Sequence, residues 1–423
     1  MTNLGKSSPF SKVIIVGAGT VGIEIAKAHV CKGVDIEITD VSTDRLETTA
    51  QRLSQFGYRT AFSPTLRFGG VSLEVKSAQD KPTTLGETLV IESISERRDL
   101  KQVLYETVRQ QTIGPVVIAS NTSSLRLSDL CPSHLSPESF CGLHFFMPVA
   151  ERKLVEIVST EATHSSVIQN VAKHVTALGK SYLMVKDSPG FVVNRILIPY
   201  LNQSIRLLGY GLAPEELSLA AVRLGMPFSP LELVDWIGIR TSFDVGRAAW
   251  QAYPQRIDPA AILPGMVKAG LQGRAAGCGF YNYRDATNMR TSLTPVSNAA
   301  AEVIARYQQE RLPWERLDVA SILATPLFIE ASLVLQEKLV ANWDDIELAM
   351  IEGLGFRESP SFWETMQQIG INAFLDQSRL LPKEKALALP PGLARALQES
   401  TDVLSAVKRF VSFDPPAEIV NCC

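Results

Sequence analysis

At 423 residues the chain exceeds what one ordinary hydrophobic core supports, so two or three domains are expected. Hydrophobic residues at 46% and charged residues at 20% exclude a disordered chain, and a net charge of −3 gives no general attraction to nucleic acid or an anionic membrane. No apolar run approaches bilayer length, and MTNLGKSSPFSKVIIVG has neither a signal peptide's apolar segment nor an arginine-rich transit pattern, so a cytoplasmic location with no membrane partner is expected.

Taken in order, the chain opens on a short apolar run, Val13-Ile14-Ile15-Val16, bounded by glycine, which reads as a buried parallel strand. It runs into Gly17-Ala18-Gly19-Thr20-Val21-Gly22 and then a helical pattern, IEIAKAHVCKG, closed by Gly33. A second strand over 34–39 ends in Asp40, eighteen positions after Gly22. Each part has a mechanical reason. Gly17 permits the tight turn, Gly19 lets backbone approach a pyrophosphate, and Gly22 allows close packing of helix on strand. The helix start at Thr20 and Val21 offers free N–H groups and a positive dipole end to the phosphates. Asp40 is placed to accept hydrogen bonds from ribose hydroxyls and to repel a 2′-phosphate, so NAD is favoured over NADP. A lone GxGxxG is weak evidence, but here it sits between two strands, opens a helix and is completed by an acid.

A helix over about 44–56 follows, then a turn-rich, stranded segment, GYRTAFSPTLRFGGVSLEVKSAQDKP. A strand at 88–91 leads into Glu92-Ser93-Ile94-Ser95-Glu96, a helix covers about 98–110, and another strand lies at 116–119. Strands alternating with helices predict a doubly wound parallel sheet, whose ligands sit beyond the strand C-termini. Ser120-Asn121-Thr122-Ser123 lies at such an end. Downstream, His144 and Glu156 flank an aromatic pair and a proline, and a histidine oriented by a carboxylate and facing a hydroxyl is a general-base arrangement.

In pattern and order, the glycine motif, VIES-ISE, SNTSSL, GLHFFMPV-x5-LVE, KDSPGFVVNR and GCGFYNY together resemble the L-3-hydroxyacyl-CoA dehydrogenase family over 12–42 and 86–284. The spacings from Ser123 to His144, His144 to Glu156 and Glu156 to Asn194 are 21, 12 and 38 positions, as the family has them. The resemblance implies an α/β Rossmann-type N-terminal domain followed by all-α helical domains, 6-phosphogluconate-dehydrogenase-C-terminal-like, acting on an acyl-CoA with NAD. It implies that His144 is the general base, that Glu156 orients it, and that Ser123 and Asn194 position the substrate. It further implies cofactor contacts from Glu96, Lys101 and Asn121 beside those of Gly17, Gly19, Thr20, Val21, Gly22 and Asp40. His29, His134, His164 and His174 lack such context and read as surface or helix residues.

Three departures stand out. Met147 replaces the family's usual asparagine before the proline of HFFNP, close to where nicotinamide and substrate are expected. Cys278 replaces a common arginine or glutamate and reads as structural. Many members also carry a long helical hairpin between the positions of Asp40 and Glu92, where it contacts CoA. Here the segment reads as stranded, which makes an acyl group on a carrier protein an alternative substrate; another small 3-hydroxy acid and a non-catalytic binding protein keeping the fold are further readings.

From Ser188 the pattern turns helical: a long helix to about 208, interrupted near Pro199, then helices at 214–224, 229–238 and 242–253. A second, weaker copy follows, with 202–245 echoed by 330–376. Glycines 225 and 355, prolines 230 and 360, and glycines 238 and 370 fall in step. The doubling resembles the dehydrogenase half of multifunctional fatty-acid oxidation enzymes. The expected domains are therefore 1–187, 188–290 and 291–423. The second helical copy lacks matching catalytic residues, and by covering apolar surface internally it predicts a monomer or weak homodimer.

Of the six cysteines, none forms a CxxC pair or sits with histidines at zinc spacing, so no metal site is expected and mostly buried, reduced thiols are. The terminal Cys422-Cys423 pair resembles a dicysteine prenylation tail, but nothing else here is GTPase-like and it reads as incidental.

Overall fold

The computed structural model describes residues 8–76, 87–132, 136–284, 295–381 and 383–413. Cys422-Cys423, His134 and the end of the expected stranded segment lie outside them. The chain divides into two compact units at residues 191 and 192.

The first unit is a mixed sheet flanked by helices. In chain order it holds β1 (Lys12–Val16), α1 (Thr20–Val30), β2 (Ile36–Asp40), α2 (Thr43–Ser54), β3 (Arg59–Arg67), β4 (Gly70–Lys76), β5 (Thr88–Glu92) and α3 (Arg98–Gln111). These are followed by β6 (Val116–Ser120), a short α4 (Leu127–Leu130), β7 (Phe140–Phe145), β8 (Leu154–Ser159), α5 (Ser165–Ala177) and β9 (Ser181–Lys186). The strand order is β3-β4-β2-β1-β5-β6-β7-β8-β9. From β2 to β7 through β1, β5 and β6 the neighbours run parallel, and their strands are fully or almost fully buried, as a sheet covered on both faces requires. The β7–β8 pair is antiparallel and β8–β9 parallel.

Between β2 and β5 the expected stranded segment is an antiparallel hairpin, β3–β4, which pairs through β4 with β2 and widens the sheet. It carries the shift from a helical protrusion to in-sheet strands that the sequence announces. Apolar residues of β1, β2, β5 and β6, including Ile15, Ile38, Ile91 and Ala119, form a core with Ile25 of α1 and Val171 of α5.

His29 and His174 lie on helices, but not at the surface. Both are fully buried, with their Nε2 atoms 3.0 Å apart across α1 and α5. His29 Nδ1 is 2.7 Å from the Ile25 carbonyl, and His174 Nδ1 is 2.9 Å from the Ser8 hydroxyl. His164 caps α5, accepting from the Ser166 N–H. The thiols also differ from expectation. Of the four described cysteines Cys141 is buried, Cys31 is exposed in the turn after α1, and Cys131 and Cys278 are half-buried.

The second unit begins with α6 (Val193–Gly209), α7 (Pro214–Leu224), α8 (Pro230–Ile237), α9 (Ile239–Ala252), α10 (Ile262–Lys268) and α11 (Asn298–Arg306). It continues with α12 (Val319–Gln336), α13 (Trp343–Leu348, extended by a π-turn over Ala349–Leu354), α14 (Phe362–Ile369), α15 (Ile371–Leu380), α16 (Pro391–Gln398) and α17 (Val403–Ser412). Two sequence expectations need correction. First, α6 runs through Pro199; the proline costs the helix one backbone bond, which burial of the surrounding residues offsets. Second, α9 starts at Ile239, since Gly238 at φ 95° ends α8 and turns the chain straight into the next helix.

Several backbone features fall at corresponding positions of the two expected copies. Pro199 lies inside α6 and Pro326 inside α12. Gly225 and Gly355 close α7 and the π-turn in the left-handed region, and Gly238 and Gly370, at φ 95° and 85°, link α8 to α9 and α14 to α15. At these turns glycine avoids the Cβ strain that other residues meet.

Contrary to the sequence expectation, one helix among the described residues is long and apolar enough by composition to cross a bilayer. It is α12, of mean hydropathy 1.7, and 94% of it is buried inside the protein. Its apolar faces are already taken up by the unit's own core.

Candidate functional site

The C-terminal ends of β1, β2, β5, β6 and β7 carry nearly every polar residue singled out in the first unit. At β1, the Gly17 N–H donates to the Thr39 carbonyl at 2.8 Å, and a Cβ at Gly17 would lie 2.4 Å from the Ser93 carbonyl oxygen. A Cβ at Gly22 would meet the Gly17 carbonyl oxygen at 1.9 Å, so α1 can lie against the turn only with glycine there. At Gly19 a Cβ would have no neighbour within 4 Å. That open backbone face, at the uncapped start of α1, fits a pyrophosphate. Thr20 and Val21 form the first helical positions, as expected.

Asp40 ends β2 and is buried, accepting from the Ala18 N–H and the Ser42 N–H at 2.8 Å each. Its carboxylate thus ties the glycine turn to the end of the second strand. Arg45, mostly exposed on α2, stands 3.7 Å from Asp40.

At β5 lies a group the sequence reading does not assign. Glu92 is fully buried, and its carboxylate accepts from Lys101 Nζ (2.5 Å), the Tyr105 hydroxyl (2.6 Å), the Ser120 hydroxyl (2.7 Å) and the Ile94 N–H (2.8 Å). Burial, with the Glu92 charge beside it, pushes the Tyr105 hydroxyl well above its ordinary pKa. Lys101 is buried too and reaches Glu96 at 3.3 Å. The available signal was the lone acid at a strand end followed by a lysine on the next helix.

Glu96 gathers the loop after β6. One oxygen accepts from the Thr122 hydroxyl (2.6 Å), the Ser123 N–H (3.0 Å), the Ser124 N–H (3.1 Å) and the Ser124 hydroxyl (2.9 Å). Burial favours its neutral form, but Lys101 and these donors more than offset that and hold the carboxyl below its usual range. Asn121 Oδ1 accepts from the Phe145 N–H at 2.8 Å, stitching the end of β6 to the end of β7. Ser123 is half-buried in this loop.

His144 and Glu156 are paired across the β7–β8 ladder. His144 Nδ1 lies 2.7 Å from Glu156 Oε2; the histidine is 5% exposed and the glutamate fully buried. The ring centroids of Phe146 and Phe191 lie 4.5 and 5.8 Å from that of the imidazole, so aromatic rings flank it. With Nδ1 engaged, Nε2 is the nitrogen left to exchange a proton with a ligand. Met147, just past β7, is 41% exposed. Asn194 belongs to the second unit, where it is the second residue of α6.

The first unit therefore brings together a dinucleotide-type turn, a hydroxyl-rich loop and an oriented histidine. Comparison with known proteins shows the family. The model described as 3-hydroxyacyl-CoA dehydrogenase, NAD binding domain, matches residues 12–188, and that of the 3-hydroxyacyl-CoA dehydrogenase C-terminal domain matches residues 190–283. A 3-hydroxybutyryl-CoA dehydrogenase from Escherichia coli K12 is 22% identical with a TM-score of 0.68, over 91% of this chain and 97% of its own. The (S)-3-hydroxybutyryl-CoA dehydrogenase of Ralstonia eutropha is 30% identical with a TM-score of 0.54, over 65% of this chain and 100% of its own. The dehydrogenase part of multifunctional enzyme 1 from C. elegans is 22% identical with a TM-score of 0.56, over 90% of this chain and 88% of its own. The first and third matches extend the shared fold past residue 283, into the second helical copy.

Proposed function

The chain belongs to the 3-hydroxyacyl-CoA dehydrogenase family and is an NAD-dependent oxidoreductase, and from that premise we propose that it interconverts an L-3-hydroxyacyl-CoA and its 3-oxoacyl-CoA. The observation that carries this reading is the buried His144–Glu156 pair at 2.7 Å. When bound on the glycine turn, NAD would supply the hydride acceptor for C3 in the oxidative direction. His144 takes the proton of the C3 hydroxyl on Nε2, and Glu156, hydrogen-bonded at Nδ1, orients the ring and stabilises the imidazolium. Ser123 donates to the oxygen at C3, and its loop is held in place by Glu96. Asn194 holds the acyl group for reaction. Lys101, buried behind Glu96, acts on the cofactor side by fixing that carboxylate.

The test is NADH formation with 3-hydroxybutyryl-CoA and longer homologues, alongside His144→Ala. Turnover on at least one CoA thioester, lost by about 100-fold or more in the variant, is expected. An unchanged rate in His144→Ala on every active substrate overturns the mechanism.

A second reading keeps the chemistry but moves the acyl group to a carrier protein. It is favoured by the β3–β4 hairpin, which stands in the sheet where the resemblance expects a CoA-contacting helical pair. Carrier-linked and CoA-linked 3-hydroxyacyl groups compared at equal concentration separate the two.

A further inference from the structure

The second helical copy has no catalytic residues of its own, yet it sends two carboxylates to the first turn of α6. Glu330 lies on α12 and Glu337, seven residues on, is the C-cap that ends it. Both meet Arg195, the residue directly after Asn194. Arg195 Nε donates to Glu330 at 3.1 Å, and its two terminal nitrogens donate to the two oxygens of Glu337 at 2.6 Å each. Arg256, which follows α9, adds ion pairs of 3.4 and 3.6 Å to the same two acids. The Tyr253 ring lies 5.0 and 4.1 Å from the two guanidinium carbons. Two arginines and two glutamates balance in charge, and Arg195 is only 2% exposed.

Such a cluster is weak evidence for stability, because desolvating the ions costs about what their attraction returns. What it does supply is geometry. A bidentate guanidinium–carboxylate pair fixes a direction as well as a distance. We propose that Arg195, held by Glu330 and Glu337, is a positioning residue that sets Asn194 in its working orientation, so the degenerate copy serves as a built-in brace for the first. This rests on the reading that Asn194 positions substrate.

The experiment uses the full chain with NAD and 3-hydroxybutyryl-CoA as probe. Glu337→Gln keeps shape but removes the charge, and Arg195→Lys keeps charge but cannot bond bidentately. Both are expected to lower kcat about tenfold while the Kd for NAD stays unchanged. Asn194→Ala lowers kcat as well, and Asn194→Ala combined with Glu337→Gln is no slower than Asn194→Ala alone, since both act through one residue. Glu384→Gln is the control. It breaks another link between the copies, to Arg206 three turns further along α6, and is expected to lower the melting temperature without changing kcat. Additive losses in the double variant, full turnover in Arg195→Lys, or an equal kcat loss in Glu384→Gln overturns the brace. If Asn194→Ala itself turns over normally, the reading of Asn194 falls first and the brace falls with it.

Discussion

His144 and Glu156 stand opposite each other across an antiparallel ladder, with Nδ1 of one 2.7 Å from Oε2 of the other. Backbone pairing therefore places the two side chains within reach of each other, and no loop has to close to bring them together. Glu156→Gln keeps the shape and removes the charge that stabilises a protonated imidazole. A fall in kcat of about 10²–10³ is expected, with the KM for NAD little changed. Steady-state kinetics across pH decides it, and a kcat within twofold of the parent would remove Glu156 from the mechanism.

The glycine turn offers a paired test. In Gly22→Ala the new methyl collides with the rigid Gly17 carbonyl at 1.9 Å, so a loss of several degrees in Tm and of NAD binding is expected. In Gly19→Ala the methyl meets no protein atom within 4 Å, so the fold persists while NAD affinity drops. Thermal melts and calorimetric titration with NAD separate a packing fault from a blocked ligand. Equal Tm losses in both would contradict the assignment of Gly19 to the phosphate face.

Met147→Asn replaces a 41%-exposed side chain, so stability should move by no more than about 0.5 kcal/mol. The expected outcome is a shift in KM for NAD or for short 3-hydroxyacyl thioesters, read from initial rates over a chain-length series. Identical constants throughout would make Met147 a bystander.

The buried histidine pair gives a pH prediction. Burial pushes His29 from 6.5 down to about 4, and burial beside His29 lowers His174 as well. Both stay neutral in the folded protein, whereas the unfolded chain takes up protons below about pH 6.5. Stability is therefore fully present above that pH and declines as pH falls from 6.5 towards 4. At pH 5 the loss from His29 alone is on the order of 2 kcal/mol relative to pH 7. Urea denaturation at both pH values measures it, and His29→Gln should flatten the difference; an unflattened profile would place the acid sensitivity elsewhere.

Because α12 packs its apolar faces inside the second unit, we expect a monomer or a weakly associating dimer. Light scattering behind size exclusion checks this over a dilution series. A tight dimer persisting at nanomolar concentration would show that the second copy leaves the association surface open.

Much of this was legible before any coordinates. Strand ends, helix starts and the spacing of His144 and Glu156 follow from local rules, because glycine turns and buried strands announce themselves in four to six residues. The repeat was legible through glycines 225, 238, 355 and 370, whose positive φ leaves few alternatives. What stayed hidden was set by distant partners. Glu92 looks like an ordinary strand end until Lys101, Tyr105 and Ser120 converge on it. His29 and His174 are 145 positions apart, and only the stacking of α1 beside α5 makes them neighbours. Arg195 likewise gave no sign of its partners on α12, since a helix face records polarity but not the charge it will meet.

The burial of α12 also sets an order of events during synthesis. Residues of α6 leave the ribosome well before α12 does, by on the order of ten seconds at about 5–20 residues per second. Through that interval Arg195 lacks the two carboxylates it meets in the folded chain, and the face of α6 that packs on α12 is uncovered. When α12 does emerge, it is an apolar segment of mean hydropathy 1.7 that is covered only once it packs inside the second unit. The chain therefore gains an internal partner and, with it, an interval during synthesis in which that partner is missing.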